Sequence, residues 1–429
     1  MTDIIRAVSD DWWYLGLMGF LGLYPIVTGA YWIAAAVYFS IHREADDPDF
    51  YDIEAFPMVS VLVPAHNEEG VILETIQYLR RLDYPRFEVV VVDDGSTDST
   101  SEVLRPLAEE GVIRLITKKV NEGKAMALND ALPLLWGEIV LIVDADGRPQ
   151  PDALRWMVPH FVRVPRVAAV TGNPRVINTT TLLAKLQAIE FSATVSVLRR
   201  AQATYGRLMT FSGICTALRR SAIEQVGRFK PGMATEDISL AWQLQTVYAD
   251  VRYEPRALFA MQVPETYHQW WKQRTRWAKG LAQVLKTNAW ILRDWKKRRM
   301  WPVWIEGVLS TFWSHLFFVA ALFWGAALTV GVYDFGGNPF PNFWGLLIAS
   351  VLVIQISIGL FLDGRYDHSV RKYILWLPFY PIGYWMLSAA AAIGGTLPGL
   401  LAKQNGPVTW TQKRYEERAR AASPANAGA

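Results

Sequence analysis

The sequence predicts an α/β domain built on a mostly parallel sheet, joined to interfacial amphipathic helices and to transmembrane helices. Three observations predict it. Long apolar runs sit at both ends of the chain. Between them, from roughly Phe56 to Phe259, short apolar runs alternate with amphipathic stretches. A segment rich in Trp, Lys and Arg then separates this middle from the C-terminal apolar part. Strands alternating with helices give a mostly parallel sheet that binds ligands at the carboxyl ends of its strands.

Composition agrees. The chain has 429 residues, 52% of them hydrophobic, with a positive mean hydropathy and 19 Trp. Aromatic residues concentrate where a protein crosses the lipid–water boundary, so the lipid bilayer is an expected partner. The formal net charge of +3 says little about partners by itself, and no nucleic-acid partner is expected. The one cysteine, Cys215, excludes an intrachain disulfide framework and a multi-cysteine zinc site. It fits a reducing, cytosolic setting for the middle of the chain.

The first apolar run, Trp12 to Ile41, is too long for a secretory core and lacks a small-residue cleavage site. It reads as one long tilted span. An acidic linker, His42 to Glu54, follows. Strands are expected at Val59–Pro64, Phe87–Asp93, Val112–Thr117, Ile139–Asp144 and Val167–Thr171. Helices are expected at Gly70–Arg81, Ser99–Glu110 and Lys124–Leu135. From Val263 to Trp304 the chain mixes Trp, Lys and Arg with aliphatic residues and ends in the basic cluster Arg293, Lys296, Lys297, Arg298, Arg299. An interfacial helix on a cytoplasmic membrane surface has this composition. A solvated charged helix is the plainer reading, and the Trp content counts against it.

Three apolar runs follow: Trp304–Tyr333, Phe343–Leu362 and Tyr373–Ala402. The connector Asp334–Pro341 has no basic residue, whereas Asp363–Lys372 has two Arg and a Lys. The excess of positive charge places the second connector in the cytoplasm. Three spans would leave the tail outside, yet Lys413, Arg414, Arg418 and Arg420 favour the inside. Pro378, Pro381, Gly394, Gly395 and Pro398 allow the last run to break into a hairpin or re-entrant piece. The tail from Ala421 is expected to be disordered. The resulting organisation is an N-terminal span and linker (1–52), a soluble domain (53–260), interfacial helices (261–303), a C-terminal transmembrane region (304–402) and a basic, partly disordered tail (403–429).

Four groups of residues carry chemistry, and their order is informative. Val63-Pro64-Ala65-His66-Asn67-Glu68-Glu69 ends the first expected strand, where backbone N–H groups and short polar side chains meet a nucleotide. A helix cap would use the same residues. Asp93-Asp94-Gly95-Ser96 follows the second strand. Acids at that place are costly unless solvated or bound, and one could accept from a base N–H or a ribose hydroxyl; an Asx turn is the alternative. Asp144-Ala145-Asp146 follows the fourth strand. Carboxylates at i and i+2 there can converge on one hard divalent cation whose shell a diphosphate completes. The last group has two parts. Thr235-Glu236-Asp237 offers a general base. Gln273-Arg274-Thr275-Arg276-Trp277 puts Gln273 and Arg276 on one helix face. There a cation can hold a departing diphosphate and Trp277 can stack on a sugar; an interface anchor is the plainer role for Trp277. Lys124 stands at a helix start, where it meets a phosphate or is simply a surface lysine. His268 and His315 have no partner spacing that suggests a metal.

Taken in order, Pro64-Ala65-His66-Asn67-Glu68, Asp93-Asp94-Gly95, Asp144-Ala145-Asp146, Thr235-Glu236-Asp237 and Gln273-x-x-Arg276-Trp277 resemble the signature of processive family 2 glycosyltransferases. Cellulose, chitin, hyaluronan and poly-N-acetylglucosamine synthases belong to that family. The resemblance spans about residues 56 to 290. It is strongest toward the bacterial poly-β-1,6-N-acetylglucosamine synthases, through Val263-Pro264-Glu265-Thr266, Trp271 to Gly280, Phe211-Ser212-Gly213 and Gly406 to Trp410.

The resemblance implies a GT-A-like catalytic domain that is cytoplasmic in a multi-pass protein of the bacterial inner membrane. It implies a UDP-sugar donor, a polysaccharide acceptor, and Mg²⁺ or Mn²⁺ as cofactor. Ala65, His66 and Glu68 would lie near uracil, Asp94 on the uridine and Lys124 near the diphosphate. Asp144 would bind the donor and Asp146 the metal. Asp237, with Glu236 beside it, would supply the base. Gln273, Arg276 and Trp277 would close over the diphosphate and the acceptor end. Relatives often act with a small membrane partner subunit and respond to cyclic di-GMP; no binding module for that nucleotide stands out here. Chitin or hyaluronan synthesis, single-sugar transfer to a lipid carrier, and a non-catalytic nucleotide-sensing receptor are the alternatives.

Overall fold

The computed structural model describes residues 12–44, 47–331, 342–403 and 406–409. The connector Asp334–Pro341, the tail basic residues Lys413, Arg414, Arg418 and Arg420, and the stretch from Ala421 lie outside the described residues. The chain divides into two compact units. One comprises Asp46–Asn178, Leu208–Gln262 and Lys403–Ala429; the other comprises Met1–Ala45, Thr179–Arg207 and Val263–Ala402.

The first unit is built on an eight-stranded sheet. Its strands are β1 (Val59–Ala65), β2 (Phe87–Asp94), β3 (Arg114–Lys118), β4 (Ile139–Ile142), β5 (Arg148–Pro149), β6 (Val167–Val176), β7 (Thr216–Arg219) and β8 (Asp250–Met261). They run in the order β3-β2-β1-β4-β7-β6-β8-β5. The five strands expected from apolar runs all form. β1 is parallel to β2 and β4, β2 to β3, and β6 to β8. β7 enters antiparallel between β4 and β6, and β5 caps β8 antiparallel. β1 and β4 are buried along their whole length, which explains their unbroken apolar sequences: a strand covered on both faces has no polar side to show.

Register positions the chemistry. Val59 pairs with both Phe87 and Ile139, so β1, β2 and β4 end at one edge of the sheet. Ala65 pairs with Asp93, and Asp94 pairs with Lys118. The chain leaves β1 toward β2 on one side, while β4 lies on the other. The gap between the carboxyl ends of β1 and β4 is therefore the crevice where an open α/β sheet receives ligands. The helices Lys124–Ala131 and Glu236–Thr246 begin after Gly123 and Thr235.

The second unit is helical. Trp12–His42 is one helix of 31 residues with Pro25 inside it. Trp301–Thr329 and Asn342–Asp363 are the next long apolar helices. Among the described residues, three helical segments are long and apolar enough to cross a membrane: Gly16–His42, Trp295–Phe323 and Leu346–Asp363. The last apolar run breaks. It forms a 3-10 helix at His368–Trp376, a π-helix at Tyr380–Tyr384 and the shorter apolar helix Trp385–Leu401. This last helix packs on the helix Tyr267–Thr287 so closely that a Cβ on Gly395 would lie 2.3 Å from the Thr275 carbonyl oxygen. Only a residue without a side chain fits there. Fully buried Arg200 ties the unit together, bonding Glu44 at 2.5 Å and Asp363 at 2.6 Å. A buried cation is tolerated because carboxylates on two other segments compensate it.

Candidate active site

The site forms where β1, β2 and β4 end. Ala65 is the last residue of β1 and is fully buried. His66 follows, also buried. Its Nδ1 lies 2.9 Å from the Asp94 carbonyl oxygen and its Nε2 3.1 Å from the Asn121 amide nitrogen. A proton on Nδ1 satisfies both contacts, with the carbonyl accepting at one nitrogen and the Asn121 amide donating to the other. Asn67 takes a left-handed φ of 56°, which Asn tolerates because its short side chain bonds locally. Its Oδ1 accepts from the Thr97 N–H at 2.8 Å. Glu68 is buried, and its N–H donates to Thr100 Oγ1 at 2.9 Å.

The two acids ending β2 have different work. Asp93 accepts from the Ser96 N–H at 3.0 Å and from the Ser101 hydroxyl, so it shapes the turn as an Asx cap. Asp94 is fully buried. Its carboxylate accepts from the N–H groups of Glu122 at 3.2 Å and Gly123 at 2.7 Å, and it lies 3.3 Å from the Lys118 ammonium. Asp94 thereby fixes the loop that delivers Lys124.

Lys124 is the centre of the constellation. Its Nζ lies 2.6 Å from Asp144 Oδ1 and 3.2 Å from Glu236 Oε1. Burial alone would push this ammonium down, but Asp144, Glu236 and Asp237 outweigh it and raise it above the usual lysine range. It therefore remains a cation at neutral pH. Asp237 accepts from the Gly213 N–H at 3.2 Å through Oδ2 and from the Ile238 N–H at 2.8 Å through Oδ1. Both acids sit in the first turn of Glu236–Thr246, where the helix dipole favours negative charge. Asp146 is buried one residue beyond Ala145.

The structure thus draws Ala65, His66, Glu68, Asp94, Lys124, Asp144, Asp146, Glu236 and Asp237 to one sheet edge in one unit. Gln273, Arg276 and Trp277 lie in the other unit, on the single helix Tyr267–Thr287. Arg276 is exposed; Gln273 and Trp277 are half-buried.

Gly213 is a site residue that spacing and charge do not reveal. A Cβ there would lie 2.9 Å from Lys124 Nζ and 3.5 Å from Asp237 Oδ2. The glycine lets its backbone pass between the lysine and the acid. No sequence signal marks it beyond its place in Phe211-Ser212-Gly213.

The donor set suits a divalent cation that arrives with phosphate. Among the described residues no three His, Cys, Asp or Glu form a closed metal cage. Mg²⁺ and ions like it are commonly held by one or two carboxylates, with substrate phosphates and water completing the shell. Asp144 and Asp146 provide such a pair.

Residues 57–280 match the family described as glycosyltransferase like family 2. The poly-β-1,6-N-acetyl-D-glucosamine synthase of Staphylococcus epidermidis is 31% identical over 404 residues, covering 92% of this chain and 97% of that one. The synthase of the same name from Staphylococcus aureus strain MSSA476 is 31% identical over 399 residues, covering 91% and 97%. Among solved structures, the mannosyltransferase PcManGT from Pyrobaculum calidifontis, in complex with GDP-Man and Mn²⁺, aligns with a TM-score of 0.61 at 26% identity, covering 89% of this chain and 99% of that one. The chain belongs to the glycosyltransferase like family 2 and is a hexosyltransferase.

Proposed function

We propose that the protein is a processive inverting synthase that transfers N-acetylglucosamine from UDP-GlcNAc to a growing β-1,6-linked polymer. The observation that carries this reading is the convergence of Lys124, Asp144, Glu236 and Asp237 at the end of β4. The choice of sugar and linkage rests on the synthases that are similar to this chain over nearly its whole length.

The roles follow from the chemistry. Ala65, His66, Glu68 and Asp94 form the nucleoside end of the site, with Asp94 holding the loop rather than standing open. Lys124 and Asp144 receive the diphosphate and donor sugar. A divalent cation, Mg²⁺ or Mn²⁺, held by Asp146 beside Asp144, would offset the charge of the leaving diphosphate; the structural relative was solved with Mn²⁺. Asp237 takes the proton from the acceptor hydroxyl. The hydroxyl oxygen bonds to the anomeric carbon as the bond from that carbon to the diphosphate oxygen breaks. UDP leaves with the electron pair, and the configuration inverts. Gln273 and Arg276 would steady the departing diphosphate, and Trp277 would stack on the acceptor sugar.

Three membrane-length helices and the basic segment before Trp301 support a multi-pass protein of the bacterial inner membrane with the catalytic unit on the cytoplasmic side. The apolar helices would pass the growing polymer outward.

The deciding experiment uses purified full-length protein in detergent with UDP-GlcNAc and Mg²⁺ or Mn²⁺, followed by sizing and linkage analysis. Long β-1,6-linked GlcNAc polymer is expected, with no product from UDP-Glc or GDP-Man. Polymer made only from GDP-Man, or addition of one sugar to a lipid carrier, would overturn the reading.

A further inference from the structure

We infer that Arg274, Glu190 and Tyr384 form a clamp that fixes the ring plane of Trp277, making these three residues positioning elements for acceptor binding. The inference rests on the reading of Trp277 as the acceptor platform and extends it to residues outside the signature.

The clamp starts from helix periodicity. Trp270, Arg274 and Trp277 are spaced i, i+4 and i+7 on Tyr267–Thr287, so they stack along one face. The Arg274 guanidinium carbon lies 4.3 Å from the centroid of the Trp277 ring. That distance is well within the range of a cation–π contact.

The guanidinium is itself held. Its two terminal nitrogens bond both Glu190 carboxylate oxygens, at 3.0 and 2.5 Å. The Tyr384 hydroxyl donates to Glu190 Oε2 at 2.7 Å and accepts from Arg274 and from the Trp270 indole, each at 3.1 Å. Phe191, next to Glu190, meets the Trp277 ring edge-on with centroids 6.3 Å apart.

Both partners come from π-helical turns. Glu190 opens the turn Glu190–Val195, and Tyr384 closes the turn Tyr380–Tyr384. A π-turn inserts one extra residue and re-aims the side chains around it, and such turns recur at functional sites. Two of them meeting at one arginine is more than a fold needs in order to pack a tryptophan. A bidentate fork also fixes the plane of the guanidinium, which a lysine ammonium cannot do. The indole under it is therefore held in orientation as well as in place, which is what a flat sugar platform requires.

The test uses full-length enzyme in detergent, with a short β-1,6-GlcNAc oligosaccharide as primer. Initial rates are measured against primer at saturating UDP-GlcNAc, and against UDP-GlcNAc at saturating primer. UDP release without primer reports that the donor site is intact. Removing only one partner leaves a buried charge that can cost folding, whereas replacing both is commonly tolerated. The variants are therefore Arg274→Met with Glu190→Met, Tyr384→Phe alone, Arg274→Lys and Trp277→Ala.

The Met pair is expected to raise the KM for primer about tenfold, a loss on the scale of one desolvated cation–π contact. The KM for UDP-GlcNAc and primer-free UDP release should not change. Tyr384→Phe should shift the primer KM in the same direction by less, and Arg274→Lys should recover part of it. Trp277→Ala should raise the primer KM at least as far, and adding the Met pair to it should raise it no further. A primer KM that responds to Trp277→Ala but not to the Met pair would overturn the clamp while leaving the platform standing. Equal shifts in both KM values would overturn it too. A primer KM indifferent to Trp277→Ala would remove the platform and the clamp together.

Discussion

Lys124 Nζ stands 2.6 Å from Asp144 Oδ1, joining the first residue of a helix to the acid that follows β4. The contact links the residue proposed to meet the diphosphate to the acid proposed to bind the donor. It also sets the charge of the site. With Asp144, Glu236 and Asp237 holding it above its usual range against the opposing effect of burial, Lys124 stays charged over the whole range in which the enzyme can be assayed.

Replacing that cation should therefore be costly in a specific way. In Lys124→Gln the acids lose their internal counter-ion and the diphosphate loses an electrostatic partner. The expected result is a fall in kcat/KM of about two to three orders of magnitude, with the KM for UDP-GlcNAc raised. Wild-type activity should show no titration assignable to Lys124 between pH 5 and 9. The sign is fixed by the raised value: the ion pair contributes fully below about pH 10.4 and is lost only as pH rises through the folded value. A pH–rate profile for wild type and variant, read with donor saturation curves, checks both statements.

Asp237 is the acid expected to move the proton. Its two oxygens already accept from the N–H groups of Gly213 and Ile238, so its orientation is set before the acceptor binds. Asp237→Asn can keep only one of these two backbone contacts, because its amide nitrogen donates rather than accepts, and should keep UDP binding while lowering synthesis by about two to four orders of magnitude. Calorimetric titration with UDP, alongside polymer yield, separates the two effects. Synthesis at the wild-type rate would take Asp237 out of the mechanism.

Gly213 gives a test of geometry with no change in charge. A methyl group there would come within 2.9 Å of Lys124 Nζ and 3.5 Å of Asp237 Oδ2. The lysine end is flexible and can give way, so Gly213→Ala should fold. It should do so by moving the ammonium from its place between Asp144 and Glu236. Misplacing one catalytic group by about 1 Å can cost on the order of a hundredfold in rate. A kcat loss of about that size with an unchanged melting temperature is expected. An unchanged kcat would show that the position of Lys124 does not matter.

These predictions draw unevenly on what the sequence discloses. The apolar runs of β1, β2 and β4 are legible because strands buried on both faces carry little but Val, Leu and Ile. The acids stand out because charged residues directly after such strands need a reason to be there. β8 is a different case. Its residues Arg252, Glu254 and Arg256 make Asp250–Met261 look like a surface segment, yet Glu254 and Arg256 are buried and pay their desolvation through each other. Hydropathy cannot see burial that depends on pairing. β7 is only four residues long and enters antiparallel, too short for alternation to show. The role of Gly213 is invisible for a third reason: its neighbours, Lys124 and Asp237, are distant in the chain, and nothing local constrains it. The C-terminal run shows its proline and glycine breaks plainly, but which pieces become helix depends on packing against Tyr267–Thr287.

The pairing in β8 leads to a prediction about acid stability. Glu254 is buried and accepts from Arg256 Nε at 2.7 Å, from the Tyr51 hydroxyl at 2.9 Å and lies 3.0 Å from His160 Nε2. Burial by itself would push its carboxyl up, but the hydrogen bonds and charges of His160 and Arg256 win and hold it at about 2. An acid whose folded value is depressed contributes stability that is complete above its unfolded value, about 4.3, and is lost as pH falls through the folded one. The catalytic unit should therefore lose roughly 2 kcal/mol from this group between about pH 4.5 and pH 2. Glu254→Gln should remove that contribution at neutral pH, lowering the melting temperature of the full-length protein in detergent while flattening its dependence on acid. Because Glu254 contacts none of the sheet-edge acids named above, UDP affinity of the folded variant at low temperature should match wild type. Thermal unfolding followed by intrinsic fluorescence from pH 7 to pH 3 measures the slope. An acid slope as steep in the variant as in wild type would place the sensitive carboxylate elsewhere.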